Sequence, residues 1–170
     1  RVKVHFMDAR KYLEITDFQW DIIFIDITEP LDDSPSYKLF TKEFYQLVTK
    51  RLKKNGAVAL QAGNLNSALF ECHGAIYNTL NLVFKNVESY GAFIPSYDTI
   101  WGFIFASNEL SALNTAPEKI DFELAQRNIN NLLFYDNLTH INMFTLTKDI
   151  RDRRSREKRI IEDDKPLFTY

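Results

Sequence analysis

The 170-residue sequence predicts an α/β fold, a largely parallel sheet with crossover helices that finishes in an antiparallel β-hairpin. Three observations carry this expectation. Strand-like apolar runs alternate with helix-period segments through the first half of the chain, the signature of strand–helix–strand units. Two later apolar segments, residues 87–94 and 100–106, are separated only by Pro95-Ser96-Tyr97-Asp98-Thr99, short enough for a hairpin. The run IIFI at residues 22–25 delivers Asp26, and then Glu29-Pro30, to the end of a strand. In an open α/β sheet the ligand crevice lies outside the carboxyl ends of the strands.

Taken in order, residues 2–6 alternate as a strand, residues 9–15 form a short helix and residues 20–27 form a fully buried strand. Residues 28–38, with two prolines, two serines and three acids, form a loop. A helix from about 41 to 52 places Phe44, Leu47, Val48 and Leu52 on one face. Lys53-Lys54-Asn55-Gly56 stops it, with cations near the negative end of the helix dipole and Asn-Gly for the turn. Residues 57–61 form the next strand, which ends in Gln61-Ala62-Gly63-Asn64. A helix from about 69 to 84 then turns Leu69, Cys72, Ile76, Leu80 and Val83 or Phe84 inward. Strand, helix, strand, helix and terminal hairpin make the C-terminal part of a methyltransferase-like Rossmann fold. Pro117 opens a polar helix through about residue 128, and residues 132–146 return to apolar character and fold back as a flap or as a further strand and helix. The run RDRRSREKR from Arg151 carries both signs of charge and reads as a solvated helix face rather than a binding patch.

Composition narrows the function classes. With 45% hydrophobic and 26% charged residues the chain is an ordinary globular protein, and a net charge of -2 gives no reason to expect nucleic acid as a partner. No apolar run approaches the roughly 20 residues that cross a bilayer. The single cysteine, Cys72, rules out an internal disulfide framework and suits a reducing, cytoplasmic setting. His5, His73 and His140 lack metal-ligand spacing, and there is no nucleophile elbow, P-loop or CxxC pair, so no metal is expected. The chain opens directly into VKVHF, without an initiator Met or a signal-peptide apolar region. That opening reads as a piece of a longer protein, whose preceding part holds the rest of the site.

The candidate site residues stand at predicted strand ends. Asp8, Asp26 and Glu29 are acids that parallel neighbours would bring to one edge of the sheet. Asp8 suits helix capping and ligand binding equally. Asp26 cannot easily turn away from the end of its strand, and Pro30 holds Glu29 toward extended backbone. Together Asp26 and Glu29 could hold an ammonium. Gln61, Tyr97 and Trp101 add an uncharged polar group and two aromatic faces, which attract cations and suit the methylene stems of a polyamine or a sulfonium centre.

These motifs resemble the polyamine aminopropyltransferases, the spermidine and spermine synthase family. They are Asp8-Ala9, Asp26-Ile27-Thr28-Glu29-Pro30, LFTKEFY at residues 39–45 and a strand ending in Gln61, and their order and spacing hold over most of the chain. Within the family the likeness is greatest to the thermospermine synthase group. It is carried by SYKLFTKEFY, QAGN, IYNTLNLVFKNV, PSYDTIWGFIFAS, LLFYD and KPLFTY, and by the long gap between Pro30 and Tyr37. The resemblance implies transfer of an aminopropyl group from decarboxylated S-adenosylmethionine, a cosubstrate rather than a prosthetic group, to a polyamine acceptor, with release of methylthioadenosine. It implies that Asp26 accepts the amine's proton and orients it, that Glu29 holds the amine or the cosubstrate's propylamine, that Gln61 and Tyr97 position the polyamine, and that Trp101 lines the pocket. Asp8, Ala9 and Pro35 would lie with the cosubstrate, Asp8 on the adenine amino group. It further implies that residues 1–150 are the C-terminal part of the catalytic domain and residues 151–170 a charged tail, and that the protein is a homodimer or homotetramer.

Three residues depart from the family pattern. Glu29 stands where Asp is usual, Ala9 replaces Gly, and Tyr97 follows the spermidine synthase pattern where thermospermine synthases tend to have Phe. The leading expectation is spermidine converted to thermospermine. A spermidine synthase acting on putrescine and a non-catalytic polyamine-binding homologue stand beside it. A plain methyltransferase is disfavoured, because its cosubstrate carboxylate would meet the acids at Asp26 and Glu29.

Overall fold

Asp8 starts the first helix, α1 (Ala9–Ile15), by accepting a hydrogen bond from the Lys11 amide at 2.8 Å in the computed structural model, which describes residues 1–30 and 35–168. The chain then runs through β1 (Trp20–Ile25), a 3₁₀ helix (Pro35–Leu39), α2 (Lys42–Lys50), β2 (Leu52–Asn64) and α3 (Glu71–Asn81). The hairpin β3 (Asn86–Ile94) and β4 (Thr99–Ser107) follows, and then α4 (Pro117–Gln126), α5 (Asn137–Phe144) and α6 (Lys148–Arg156).

The four strands form one sheet in the order β1-β2-β4-β3. β1 and β2 are parallel, and β4 runs antiparallel to both β2 and β3. The sheet is therefore mixed; the parallel character read from the strand–helix alternation is confined to one pair among the described residues. One face carries Ile25, Val58, Leu60, Ala62, Ile104 and Ala106, buried beneath Phe44 and Val48 of α2 and Ile76 and Leu80 of α3. The period-3.6 apolar stripe of each helix drives this packing, because that stripe must leave water. α5 covers part of the other face, where Phe144 lies 4.9 Å from the Tyr90 ring.

Several sequence expectations are corrected. Residues 2–6 form no strand: β1 is an edge strand among the described residues and makes no ladder with them, and Val2 and Phe6 are 85% and 97% exposed. β1 ends at Ile25 and is not fully buried, since Ile22 and Phe24 on its second face are 53% and 74% exposed. α2 stops at Lys50, and Leu52 with Lys53-Lys54-Asn55-Gly56 belongs to β2. The turn signal is physically real but is absorbed as a bulge: Trp20 pairs with Leu52 and Ile22 already with Ala57. Gly56 is needed there, because a Cβ would stand 3.0–3.1 Å from the Lys53 carbonyl, the Leu52 side chain and the Trp20 carbonyl. Leu69 precedes α3 and is exposed. Residues 132–136 form no strand, and the apolar segment resolves into α5. The loop read over residues 28–38 becomes the 3₁₀ helix from Pro35 onward, and its residues 31–34 lie outside the described ones.

The charged segment after Arg151 is exposed only in part. α6 is followed by residues that return to the core: Ile161 is 1% exposed, its carbonyl accepts from the Lys42 amide and its amide donates to Thr79 Oγ1 at 2.9 Å. Asp163 accepts both guanidinium nitrogens of Arg10 at 2.7 Å and the Thr41 hydroxyl at 2.7 Å. Residues 161–163 thus tie α1, α2 and α3 together. Among the described residues no helix is long and apolar enough to cross a membrane.

Candidate functional site

Strand register builds the site. Ile25 pairs with Leu60, so Asp26, one residue on, stands beside Gln61 at the carboxyl edge of the parallel pair. Gln61 pairs with Phe103 and Asn64 with Trp101 across the antiparallel step to β4. The hairpin turn, a short 3₁₀ segment Pro95–Tyr97 closed by Asp98 in the left-handed region at φ 48°, projects Tyr97 over the same edge. Asp26, Glu29, Gln61, Tyr97 and Trp101 consequently line one cavity of about 470 Å³. That volume lies within the range of roughly 300–1,000 Å³ usual for small-molecule sites.

The aromatic wall is ordered by a specific network. The Tyr97 and Trp101 rings lie 4.7 Å apart at 49°. The Trp101 indole N–H donates to Gln61 Oε1 at 3.0 Å, the Gly63 amide donates to the same oxygen at 3.0 Å, and the Gln61 amide donates to the Ile27 carbonyl. Gln61 is buried, and this network commits both lone pairs of its oxygen and one of its two amide protons. It acts as a strut that fixes Trp101 and the backbone carrying Asp26 to Glu29. Gly63, at φ +76°, turns the chain just beyond it in a conformation that side chains rarely adopt.

The remaining sequence candidates are not part of this cavity. Asp8 and Ala9 lie at the start of α1, with Asp8 exposed and serving as the helix cap, the first of its two open roles. Pro35 opens the 3₁₀ helix. The lining also includes Ile27, Thr28, Ile94 and Phe103, which sequence reasoning did not single out. Phe103 could have been found from the hairpin, since pairing Tyr90 with Phe103 and alternating along β4 puts Phe103 on the face of Gln61.

Two further groups near the site have strongly shifted proton affinities. The Cys72 thiol on α3 is pushed up to about 12 by burial, with a further contribution from the Glu29 charge. His73, wholly buried with Nε2 2.9 Å from the Ser89 hydroxyl, is pushed down to about 3, chiefly by desolvation of its charged form. Among the described residues no group of three His, Cys, Asp or Glu side chains could hold a metal ion.

A parallel pair extended by an antiparallel strand inserted before the last one, with helices packed on the sheet, is the arrangement of the C-terminal part of a methyltransferase-like Rossmann fold. Comparisons agree with it. The spermidine synthase from Thermotoga maritima superposes with a TM-score of 0.69 at 24% identity, covering 88% of this chain and 48% of its own. Human methyltransferase-like protein 13 superposes at 0.53 with 20% identity, covering 79% of this chain and 62% of its own. The polyamine aminopropyltransferase of Sulfurisphaera tokodaii is 39% identical over 160 residues, 94% of this chain and 52% of that protein. Residues 1–116 match the Spermine/spermidine synthase domain, and the chain belongs to that family. It spans about half the length of the curated relatives it matches.

Proposed function

We propose that this chain carries the amine-acceptor side of an aminopropyltransferase, which moves an aminopropyl group from decarboxylated S-adenosylmethionine to spermidine and forms thermospermine. The observation that carries the reading is the convergence of Asp26, Glu29, Gln61, Tyr97 and Trp101 around one cavity. Carboxylates and aromatic faces in one hollow suit a chain of ammonium groups and methylenes. Family membership and the 39% identical aminopropyltransferase of S. tokodaii support the same chemistry.

The reaction asks the protein for alignment and for proton acceptance. A neutral amine nitrogen attacks the carbon next to the sulfonium. The C–N bond forms as the C–S bond breaks, and its electron pair neutralises the sulfur and releases methylthioadenosine. The proton lost by the nitrogen passes to the Asp26 carboxylate. Glu29 holds a neighbouring ammonium of the acceptor, and Tyr97 and Trp101 flank its methylenes. Asp8, Ala9 and Pro35 lie with the cosubstrate in this reading.

Chromatography of products from the complete protein with decarboxylated S-adenosylmethionine and either putrescine or spermidine tests the assignment. Thermospermine from spermidine is expected. Tyr97, which follows the spermidine synthase pattern, favours a second reading, and spermidine formed from putrescine as the only product would establish it. An Asp26→Asn variant should lose about 100-fold or more in kcat. Full activity in that variant would remove Asp26 from the mechanism, and amine binding by wild type without turnover would mark a non-catalytic binder.

A further inference from the structure

The acceptor cavity does not end at Glu29. A second hollow of about 530 Å³ adjoins it, and Glu29 and Trp101 line both. Glu29 therefore stands at a neck between two cavities. Its Cγ lies 4.0 Å from where a Cβ on Gly63 would stand, which places the side chain beside the Gly63 turn. Its charge is felt by the Cys72 thiol, which lines the far hollow. The walls beyond the neck are Ala68, Leu69, Cys72, Leu167 and Phe168, and the polar groups are Asn64 and Glu71. Glu71 is held by Arg159 at 3.0 Å in an exposed ion pair.

We infer that the far hollow is a second amine subsite, which receives the remote aminoalkyl arm of a triamine acceptor whose reacting nitrogen lies at Asp26. Glu71 and Ala68 are then residues that set acceptor length. The inference rests on the aminopropyl-transfer reading and extends it. A triamine alternates ammonium groups with methylene runs, and the two cavities repeat that alternation. There is a carboxylate at Asp26, a carboxylate with an aromatic face at the Glu29–Trp101 neck, apolar walls, and then Asn64 and Glu71 at the far rim. An ammonium leaving water needs such partners at each stop, and methylenes need the apolar stretches between them. A diamine anchored at Asp26 and the neck would leave the far hollow unused.

The experiment measures kcat/KM for spermidine and for putrescine in the complete protein and in two variants, with thermal melts to establish that each is folded. Ala68→Trp fills the hollow and should lower the spermidine-to-putrescine ratio of kcat/KM by about tenfold or more. Glu71→Gln removes only the rim carboxylate and should lower the ratio by about threefold, through KM. Because its ion pair with Arg159 is exposed, this second variant should fold normally and carries the test if Ala68→Trp does not. An unchanged ratio, or an equal fall for both amines, would overturn the subsite. If wild type transfers to neither amine, the transfer reading fails by itself. Calorimetric titration with the two amines then decides the subsite: tighter spermidine binding that Glu71→Gln removes upholds it, and equal affinities in wild type overturn it.

Discussion

Gln61 shows how a residue that lines a site can also hold the rest of that site in place. Its side chain joins the Trp101 indole, the Gly63 amide and the Ile27 carbonyl, so Gln61→Leu strands three polar groups at once. A loss of about 1–3 kcal/mol in unfolding free energy is expected from a denaturant titration, with a shift in Trp fluorescence as Trp101 is released. Cys72 offers a second check: with its thiol held up at about 12 by burial, it should resist iodoacetamide at pH 8 until the protein unfolds. His73 gives a signed pH dependence. Its proton affinity falls from the ordinary 6.5 to about 3 on folding, so the unfolded chain binds the extra proton below pH 6.5. Stability is full above 6.5 and falls by about 1.4 kcal/mol per pH unit below it, toward pH 3. Between pH 6.5 and 5, where carboxylates contribute little, the slope should flatten in His73→Gln.

Elements were legible where a local cause sufficed. Asp8 capping α1, the α3 stripe of Cys72, Ile76 and Leu80, and the β3–β4 hairpin could each be read from a few adjacent residues. The meeting of Asp26, Glu29, Gln61, Tyr97 and Trp101 was legible for a similar reason, since strand ends at a common edge are fixed by the order of the elements. What stayed hidden depends on partners far along the chain. Lys53-Lys54-Asn55-Gly56 carries every mark of a turn, yet β1 recruits it as a bulged extension of β2. The strand pattern of residues 2–6 meets no neighbouring strand among the described residues, and alternation without a ladder does not make a strand. The contact of Asp163 with Arg10 and Thr41 spans nearly the whole sequence. Thr41 also caps α2, accepting from the Phe44 amide at 3.3 Å, so Thr41→Ala should cost about 1–2 kcal/mol in a thermal or denaturant melt. Asp163→Ala should cost less, about 1 kcal/mol, because its pairing with Arg10 is partly in water.

At the scale of the molecule, the two faces of the sheet are unequal. One is sealed by α2 and α3, whereas Ile22 and Phe24 of β1 leave an apolar strip on the other. Produced by itself, the 170-residue chain should self-associate through this strip, as light scattering or size exclusion would read. Ile22→Lys with Phe24→Thr should restore the monomer. The cavity closes in the opposite direction along the chain: Leu167 and Phe168 wall its far hollow, and Phe168 packs edge-on against Tyr37 at 5.5 Å. These residues leave the ribosome long after β4 has been made. At synthesis rates of about 5–20 residues per second, the sheet has seconds to form before its last wall arrives. The far hollow is therefore a late product of translation: a nascent chain halted after β4 would already carry every residue that lines the first cavity, from Asp26 to Phe103, but not the last wall of the second.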